Sequence, residues 1–153
     1  MANEKPDLYT IRISAVPVAS PRTGRKLFGT LLYRVTRKPF IEQCDETTVA
    51  SAHNLIIRPG DYVAFELDKI ELPSKNAKLT VDWKAVTGKE WEDAPRTTGK
   101  PGQIPPDAGF ACQIYSYTAS LDLGVDAELP AQKCNKEGST VITLDPDVET
   151  DEC

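Results

Sequence analysis

Apolar and polar residues alternate along most of this chain, with the period of two that is typical of half-buried β-strands. The clearest example follows the turn sequence Pro59-Gly60-Asp61, where Val63, Phe65 and Leu67 fall on one face and Tyr62 falls on the other. Proline presets φ, glycine supplies a positive φ and aspartate bonds its own backbone, so this tripeptide predicts a tight turn. We expect the rest of the chain to pack around the strand that follows it.

The same alternation predicts further strands on both sides of this one. In chain order they cover residues 8–18, 28–37, 55–57, 79–86, 110–118, 120–125 and 140–144. Near Asp68 the apolar positions change parity, which predicts a β-bulge or a sharp bend. Residues 61–86 are predicted to form an antiparallel hairpin, and a short helix is expected only within residues 44–54.

Residues 87–109 interrupt this pattern. They contain four prolines, four glycines and scattered charge within 23 residues. Loops longer than about 12–15 residues without secondary structure are usually functional or disordered. This segment is therefore the candidate binding loop.

Together these features predict an all-β fold, an antiparallel β-sandwich of about seven or eight strands with one long Pro/Gly-rich loop. We expect a single domain over residues 1–153, with an ordered core at about 8–145 and an acidic C-terminal tail at 146–153. A chain of 153 residues is long enough for one core that buries roughly 70% of the unfolded surface.

The composition adds expectations about location and redox state. No apolar run approaches the ~18 residues of a membrane span, and residues 1–7 lack the apolar core of a secretory signal. We therefore expect a cytoplasmic protein without a membrane partner. The four cysteines, Cys44, Cys112, Cys134 and Cys153, permit two disulfides in three connectivities, but cytosolic disulfides are rare and reduced thiols are expected.

Charge is divided unevenly along the chain, although the net charge is only −5. Residues 1–60 carry nine basic and five acidic residues, a balance of +4, whereas residues 61–153 carry nine and eighteen, a balance of −9. We expect the basic and acidic regions to attract each other, either within one monomer or between the monomers of a homo-oligomer. The expected self-association residues are Arg22, Arg25, Lys26, Arg37, Lys38, Asp147, Glu149 and Asp151. Because the chain is acidic as a whole, nucleic acid is not an expected partner.

Few residues could support catalysis or metal binding. His53 is the single histidine, no G-x-S-x-G or phosphate-binding pattern is present, and the cysteines lack the close spacing of a zinc site. A cupredoxin-type copper site needs two histidines, so it is excluded too. We therefore expect no catalytic residues, no metal and no cofactor, and the chain is predicted not to be an enzyme. An active site built only from carboxylates would leave no trace in the sequence, and that alternative stays open.

Three aromatic residues are the candidate contacts for a ligand or partner. Trp91 lies between Glu90 and Glu92 in the long loop, where no periodicity requires it. It is predicted either to be an exposed recognition anchor or to fold back over the end of the sandwich. Tyr115 and Tyr117 share one strand face and are predicted to form either an outer contact surface or a second layer of the core.

Three short stretches occur in a recognisable order: Ile11-Arg12-Ile13, then Gly60-Asp61-Tyr62-Val63-Ala64-Phe65, then Asp145-Pro146 followed by Val148. In these stretches and in total length, the chain resembles the bacterial inclusion-body protein family (PixA/AidA type). The resemblance implies a β-sandwich without catalytic activity that accumulates as ordered intracellular assemblies.

Two functional hypotheses follow. The first is a non-enzymatic structural or interaction protein that self-associates into homo-oligomers or larger assemblies, which the division of charge, the missing catalytic set and the resemblance favour. The alternative is a carbohydrate- or protein-binding module that uses the 87–109 loop and its tryptophan.

Overall fold

The computed structural model describes residues 5–19, 26–41, 46–48, 54–72, 74–124, 141–144 and 147–150. These residues form ten β-strands and one short 3₁₀ helix, so the all-β prediction is confirmed. Within the same ranges, no helix is long and apolar enough to cross a bilayer. The strands are β1 Asp7–Ala19, β2 Lys26–Pro39, β3 Thr47–Thr48, β4 Asn54–Ile57, β5 Tyr62–Ile70, β6 Lys78–Ala85, β7 Gly102–Gln103, β8 Ile114–Asp122, β9 Val141–Leu144 and β10 Asp147–Thr150, and the 3₁₀ helix is Ala108–Phe110.

The first sheet has the strand order β3-β2-β1-β5-β7. β1 and β2 form a long antiparallel pair that starts with Asp7 opposite Pro39. β1 and β5 run parallel, with Leu8 opposite Tyr62. The prediction of a purely antiparallel fold is wrong at this pair, because alternation within a strand does not record the direction of its neighbour.

The second sheet has the strand order β4-β10-β8-β6, and β9 also pairs with β8. β6 and β8 are antiparallel, with Lys78 opposite Asp122 and Ala85 opposite Tyr115. β10 lies between β8, to which it is antiparallel, and β4, to which it is parallel. Both parallel pairs join strands that are distant in the chain, since parallel pairing needs a long connection.

The predicted hairpin over residues 61–86 does not form. β5 belongs to the first sheet and β6 to the second, so the two consecutive strands share no ladder. They meet instead across the core, where the ring of Phe65 lies 6.1 Å from the ring of Trp83 in an edge-to-face contact. The alternation of each strand is the same in both arrangements, so the sequence pattern alone could not separate them.

The predicted β-bulge near Asp68 is confirmed. Leu67 lies opposite Ile13, and Ile70 lies opposite Ala15, so β5 advances three residues while β1 advances two. The extra residue turns Ile70 back toward the face that carries Leu67, and both side chains pack partly buried against the core.

Side chains from both sheets meet in one apolar core. Phe65 of the first sheet lies 5.3 Å, ring to ring, from Tyr117 of the second sheet. Each large apolar side chain that is fully buried stabilises the fold by roughly 1.5–3 kcal/mol. A shared core is what the predicted β-sandwich requires, and that finer architecture remains a prediction. The largest apolar side chains that are fully buried are Ile11, Ile13, Ile57, Val63, Phe65, Leu79, Val81, Ile104, Tyr115, Leu121 and Val148.

The prediction of an acidic tail at 146–153 is wrong for the residues that the structure describes. Asp147–Thr150 is strand β10, and Val148 is 0% exposed while Thr150 is also buried. The backbone N–H of Thr150 donates to the carbonyl oxygen of Gln113 at 2.8 Å. Two inward residues that alternate with carboxylates are enough to place this stretch inside a sheet, although its composition is that of a solvated tail.

Two further predictions need correction. Thr47–Thr48 is a strand and Asn54 begins β4, so the described part of residues 44–54 contains no helix. Cys112 is disulfide-bonded, so the expectation of reduced thiols is wrong for this residue. That expectation came from the lack of a signal-like apolar core in residues 1–7, which carries no information about which thiols lie close together. Cys44, Cys134 and Cys153 lie outside the described residues.

Candidate functional site

The segment predicted as a long loop, residues 87–109, joins the edges of the two sheets. Its Arg96 carbonyl oxygen accepts from the backbone N–H of Val81 in β6 at 2.9 Å. Its Gly99 N–H donates to the carbonyl oxygen of Phe65 in β5 at 3.0 Å, and β7 then pairs with the start of β5. The segment therefore covers polar edge groups that would otherwise be open to pairing with another chain.

Trp91 anchors the 87–109 segment to the core. Its side chain is 2% exposed, and its ring lies 4.9 Å from the ring of Trp83. Its Nε1–H donates to the carbonyl oxygen of Gln103 at 2.8 Å. The expectation of an exposed contact residue is therefore wrong, and the alternative, a side chain folded back onto the core, describes Trp91.

Tyr115 and Tyr117 are also buried, so they form part of the core and not an outer contact surface. The hydroxyl of Tyr115 donates to the carbonyl oxygen of Lys89 at 3.2 Å. Burial, with a smaller contribution from Glu90, raises the pKa of Tyr115 to about 12. Burial also raises the pKa of Tyr117, so both phenols stay neutral at physiological pH.

The Pro59-Gly60-Asp61 turn holds the far side of the segment in place. Asp61 is buried, and its carboxylate accepts from the backbone N–H groups of Asp7, at 3.0 Å, and Arg58, at 3.1 Å. Backbone bonds between this turn and Ile104 run in both directions, at 2.8 and 2.9 Å. Burial and the neighbouring Asp61 carboxylate raise the pKa of Asp7.

Between these anchors lies an open groove with a volume of ≈ 530 Å³. One wall carries the ring of Tyr62, which stacks on Phe40 with centroids 3.7 Å apart and ring planes 4° from parallel. Residues 92–97 and 100–103 supply the rest of the lining. Gln103 is held in place because its side-chain amide donates to the carbonyl oxygen of Gly60 at 3.1 Å.

The charged side chains of the groove are Glu92, Asp93, Arg96 and Lys100. All four are exposed, and none forms an ion pair within the described part of the chain. Within nine residues of sequence, the two acceptors Glu92 and Asp93 are followed by the two donors Arg96 and Lys100, so the groove offers hydrogen-bonding groups of both kinds. These groups can bind a polar ligand without first breaking an ion pair to any of the described residues.

The basic residues of the first sheet behave differently from those of the groove. Arg12 contacts Glu46 at 3.0 Å and Glu66 at 3.3 Å, and Arg34 lies 3.8 Å from Asp68. The hydrogen bond from Arg12 lowers the pKa of Glu46. Part of the uneven charge is therefore neutralised within one monomer.

Those expected self-association residues that the structure describes do not lie together at one place in the fold. Arg37 is exposed and Lys38 is half-buried near the end of β2. Lys26 begins β2, eleven residues before Arg37, which places it at the opposite end of the strand. Asp147 and Glu149 belong to β10 of the second sheet, and Arg22, Arg25 and Asp151 lie outside the described residues.

No group of three or more His, Cys, Asp or Glu side chains that could hold a metal ion occurs among the described residues. His53 lies outside them. The groove residues Tyr62, Arg96 and Lys100 were missed by the sequence reasoning. The sequence did contain a signal for each. Tyr62 falls on the strand face opposite to that of Val63, and Arg96 and Lys100 lie in the loop that was predicted to be functional.

No family model, no curated protein and no solved structure matches this chain.

Proposed function

We propose that this protein is a non-enzymatic binding module that holds a carbohydrate in the groove formed by Tyr62 and residues 92–103. The observation that supports this proposal is the combination of an aromatic wall with carboxylates and cations, free of ion pairs among the described residues, in one groove. Each sugar hydroxyl both donates and accepts hydrogen bonds, so it needs protein groups of both kinds. The C–H face of a sugar ring is apolar and packs on an aromatic ring.

The size and rigidity of the groove support the same function. Its volume of ≈ 530 Å³ lies within the roughly 300–1,000 Å³ of small-ligand sites. The main chain on both sides is fixed by the bonds to Val81, Phe65 and the Gly60-Asp61 turn. A ligand therefore does not have to order the segment on binding, which removes one of the main costs of association.

The test is a glycan array followed by calorimetry on the glycans retained. Arg96→Ala and Lys100→Ala should each weaken binding at least tenfold, because a hydrogen bond to a charged group contributes about 1.5–3 kcal/mol. Lys84→Ala is the matched control, since Lys84 is an exposed lysine on β6 that does not line the groove.

Two results would reject the proposal. One is that the wild-type protein binds no glycan on the array. The other is that the groove variants bind as tightly as the Lys84→Ala control. If the protein binds peptides instead of glycans, and Arg96→Ala and Lys100→Ala lose that peptide binding, the groove would be assigned to a protein ligand.

Self-association is the second candidate, and a specific surface favours it. Ile56 of β4 and Val86, which follows β6, are each 56% exposed. The N–H of Val86 donates to the carbonyl oxygen of Ile114, and Glu149 is opposite both Ile114 and Ile56 in register. Three apolar residues therefore lie in one row across the second sheet, with Glu149 at the register position between Ile56 and Ile114. The ordered assemblies and the cytoplasmic location expected from the sequence belong to this candidate, and the Cys112 disulfide weighs against that location.

Light scattering over a range of concentrations tests this candidate. Ile56→Lys and Val86→Lys should lower the average mass, because each places a charge in an apolar contact. Leu32→Lys is the matched control, as Leu32 is a similarly exposed apolar residue on the first sheet. A wild-type protein that stays monomeric at every concentration and salt would rule self-association out.

A further inference from the structure

The ring of Phe40 stacks on a residue of the groove without lining the groove itself. Its centroid lies 3.7 Å from that of Tyr62, and the two ring planes are 4° from parallel. Tyr62 lines the groove, whereas Phe40 does not. We propose that Phe40 is a positioning residue of the glycan site, which holds the Tyr62 ring at a fixed angle for the ligand. This inference rests on the proposed function, because it concerns the same groove.

The chain brings Phe40 to this position across one strand of the first sheet. Leu8 of β1 is opposite both Lys38 of β2 and Tyr62 of β5, so the last two are separated by two strand spacings, roughly 10 Å. After β2 ends, the N–H of Phe40 donates to the carbonyl oxygen of Pro6 at 3.0 Å. This bond holds Phe40 at the start of β1, from where its ring reaches that of Tyr62.

The groove lies on the other side of Tyr62. In the first sheet β5 lies between β1 and β7, and Gln103 of β7 is opposite Tyr62 in register. Gln103 lines the groove, and its side-chain amide is held by the carbonyl oxygen of Gly60. Tyr62 is half-buried and therefore keeps some exposed surface. Phe40 thus supports the ring from the β1 side, and the β7 side is left for a ligand.

A Tyr62 ring that is fixed in advance lowers the cost of binding. Each side chain that a ligand must immobilise weakens association, and without Phe40 the ligand would have to order the Tyr62 ring itself. Converted to affinity, that cost is roughly 2- to 12-fold. Phe40 is 36% exposed and is not part of the core, so its replacement should change stability little. Binding and stability should therefore respond separately.

Calorimetry with a glycan that the wild type binds tests this role in three variants. Phe40→Leu keeps an apolar side chain without a flat ring and should bind roughly 2- to 12-fold more weakly at an unchanged Tm. Phe40→Tyr restores the flat ring and should bind as tightly as the wild type. Ile41→Ala is the matched control, because Ile41 is the next residue, is 80% exposed and does not line the groove.

Nuclear magnetic resonance gives a readout that needs no ligand. In the wild type the facing ring of Phe40 should shield the ring protons of Tyr62, and these signals should move downfield in Phe40→Leu but not in Ile41→Ala. Unchanged signals in Phe40→Leu would overturn the proposal, because the two rings would not stack in solution.

The binding results separate this proposal from the function on which it rests. Equal affinities of Phe40→Leu and the wild type would overturn the role of Phe40 and leave the glycan site in place. A Phe40→Tyr variant that binds as weakly as Phe40→Leu would also overturn it, because a flat ring would then not be what the site requires. A wild type that binds no glycan would reject both the site and the role of Phe40.

Discussion

Replacing Thr150 by valine tests whether β10 is an integral strand of the second sheet. Thr150 is buried, and its hydroxyl makes two bonds that a methyl group cannot supply. Oγ1 accepts from the N–H of Gln113 at 2.7 Å and donates to the carbonyl oxygen of Phe110 at 2.7 Å. Valine has the same shape without the hydroxyl, so both backbone groups would lose this partner.

The expected loss of stability follows from the two backbone groups, the N–H of Gln113 and the carbonyl oxygen of Phe110. An unsatisfied buried polar group costs about 1–3 kcal/mol, so two of them in Thr150→Val should lower the free energy of unfolding by about 2–6 kcal/mol. Thr150→Ser is the matched control, because it keeps both bonds and loses one methyl group. Its expected loss is about 0.5–1.5 kcal/mol, the range found for removing one buried methyl group.

Urea denaturation measures both variants, with tryptophan fluorescence as the probe since Trp91 and Trp83 pack within the core. The m-value should not change, which would show that only stability has changed. If residues 147–150 were a solvated tail, both substitutions would change the free energy of unfolding by no more than about 0.5 kcal/mol. That result, or a serine variant less stable than the valine variant, would refute the placement of β10.

Three other substitutions test the segment and the turn. Trp91→Ala should cost about 3–5 kcal/mol in urea denaturation, whereas an exposed anchor would cost almost nothing. Gly102→Ala should reduce glycan binding and Tm together, because its methyl group would overlap the Asp93 carbonyl oxygen and the Pro95 ring; an unchanged Tm would contradict this packing. Burial raises the pKa of Asp7, so the ionised form is disfavoured in the folded state and the cost appears as pH rises above the ordinary value of 3.8. Asp7→Asn should therefore raise the urea midpoint at pH 7 but not at pH 3; an equal gain at both values would exclude the charge as the cause.

The longer strands, β1, β2, β5, β6 and β8, were readable from the sequence because each depends on local alternation, whereas β3, β7 and β10 were not predicted. The bulge in β5 was predicted from the change of parity near Asp68, since one extra residue is the usual way to restore an apolar face. The partners of the strands were not readable. β5 pairs with β1 and β7, and β6 pairs with β8, and such long-range choices leave the alternation of every strand unchanged.

The site residues were misassigned for a related reason. Trp91 has charged neighbours in sequence, which suggests exposure, yet its ring is covered by Trp83 and its Nε1 is bonded to Gln103. Contacts between separate segments decide burial, and composition within one segment does not record them. The same holds for β10, where Val148 and Thr150 bury against β8 while the intervening residues are acidic.

The 87–109 segment uses its main chain and its side chains for different purposes. The carbonyl oxygen of Arg96 caps the edge of β6, and the N–H of Gly99 caps the edge of β5, so the backbone completes the two sheets. The exposed side chain of Arg96 is left to line the groove. A side-chain substitution there would remove the proposed ligand contact but keep the backbone bond to Val81. Binding at this site can therefore change without loss of the fold, which is the property expected of a recognition loop on a rigid β scaffold.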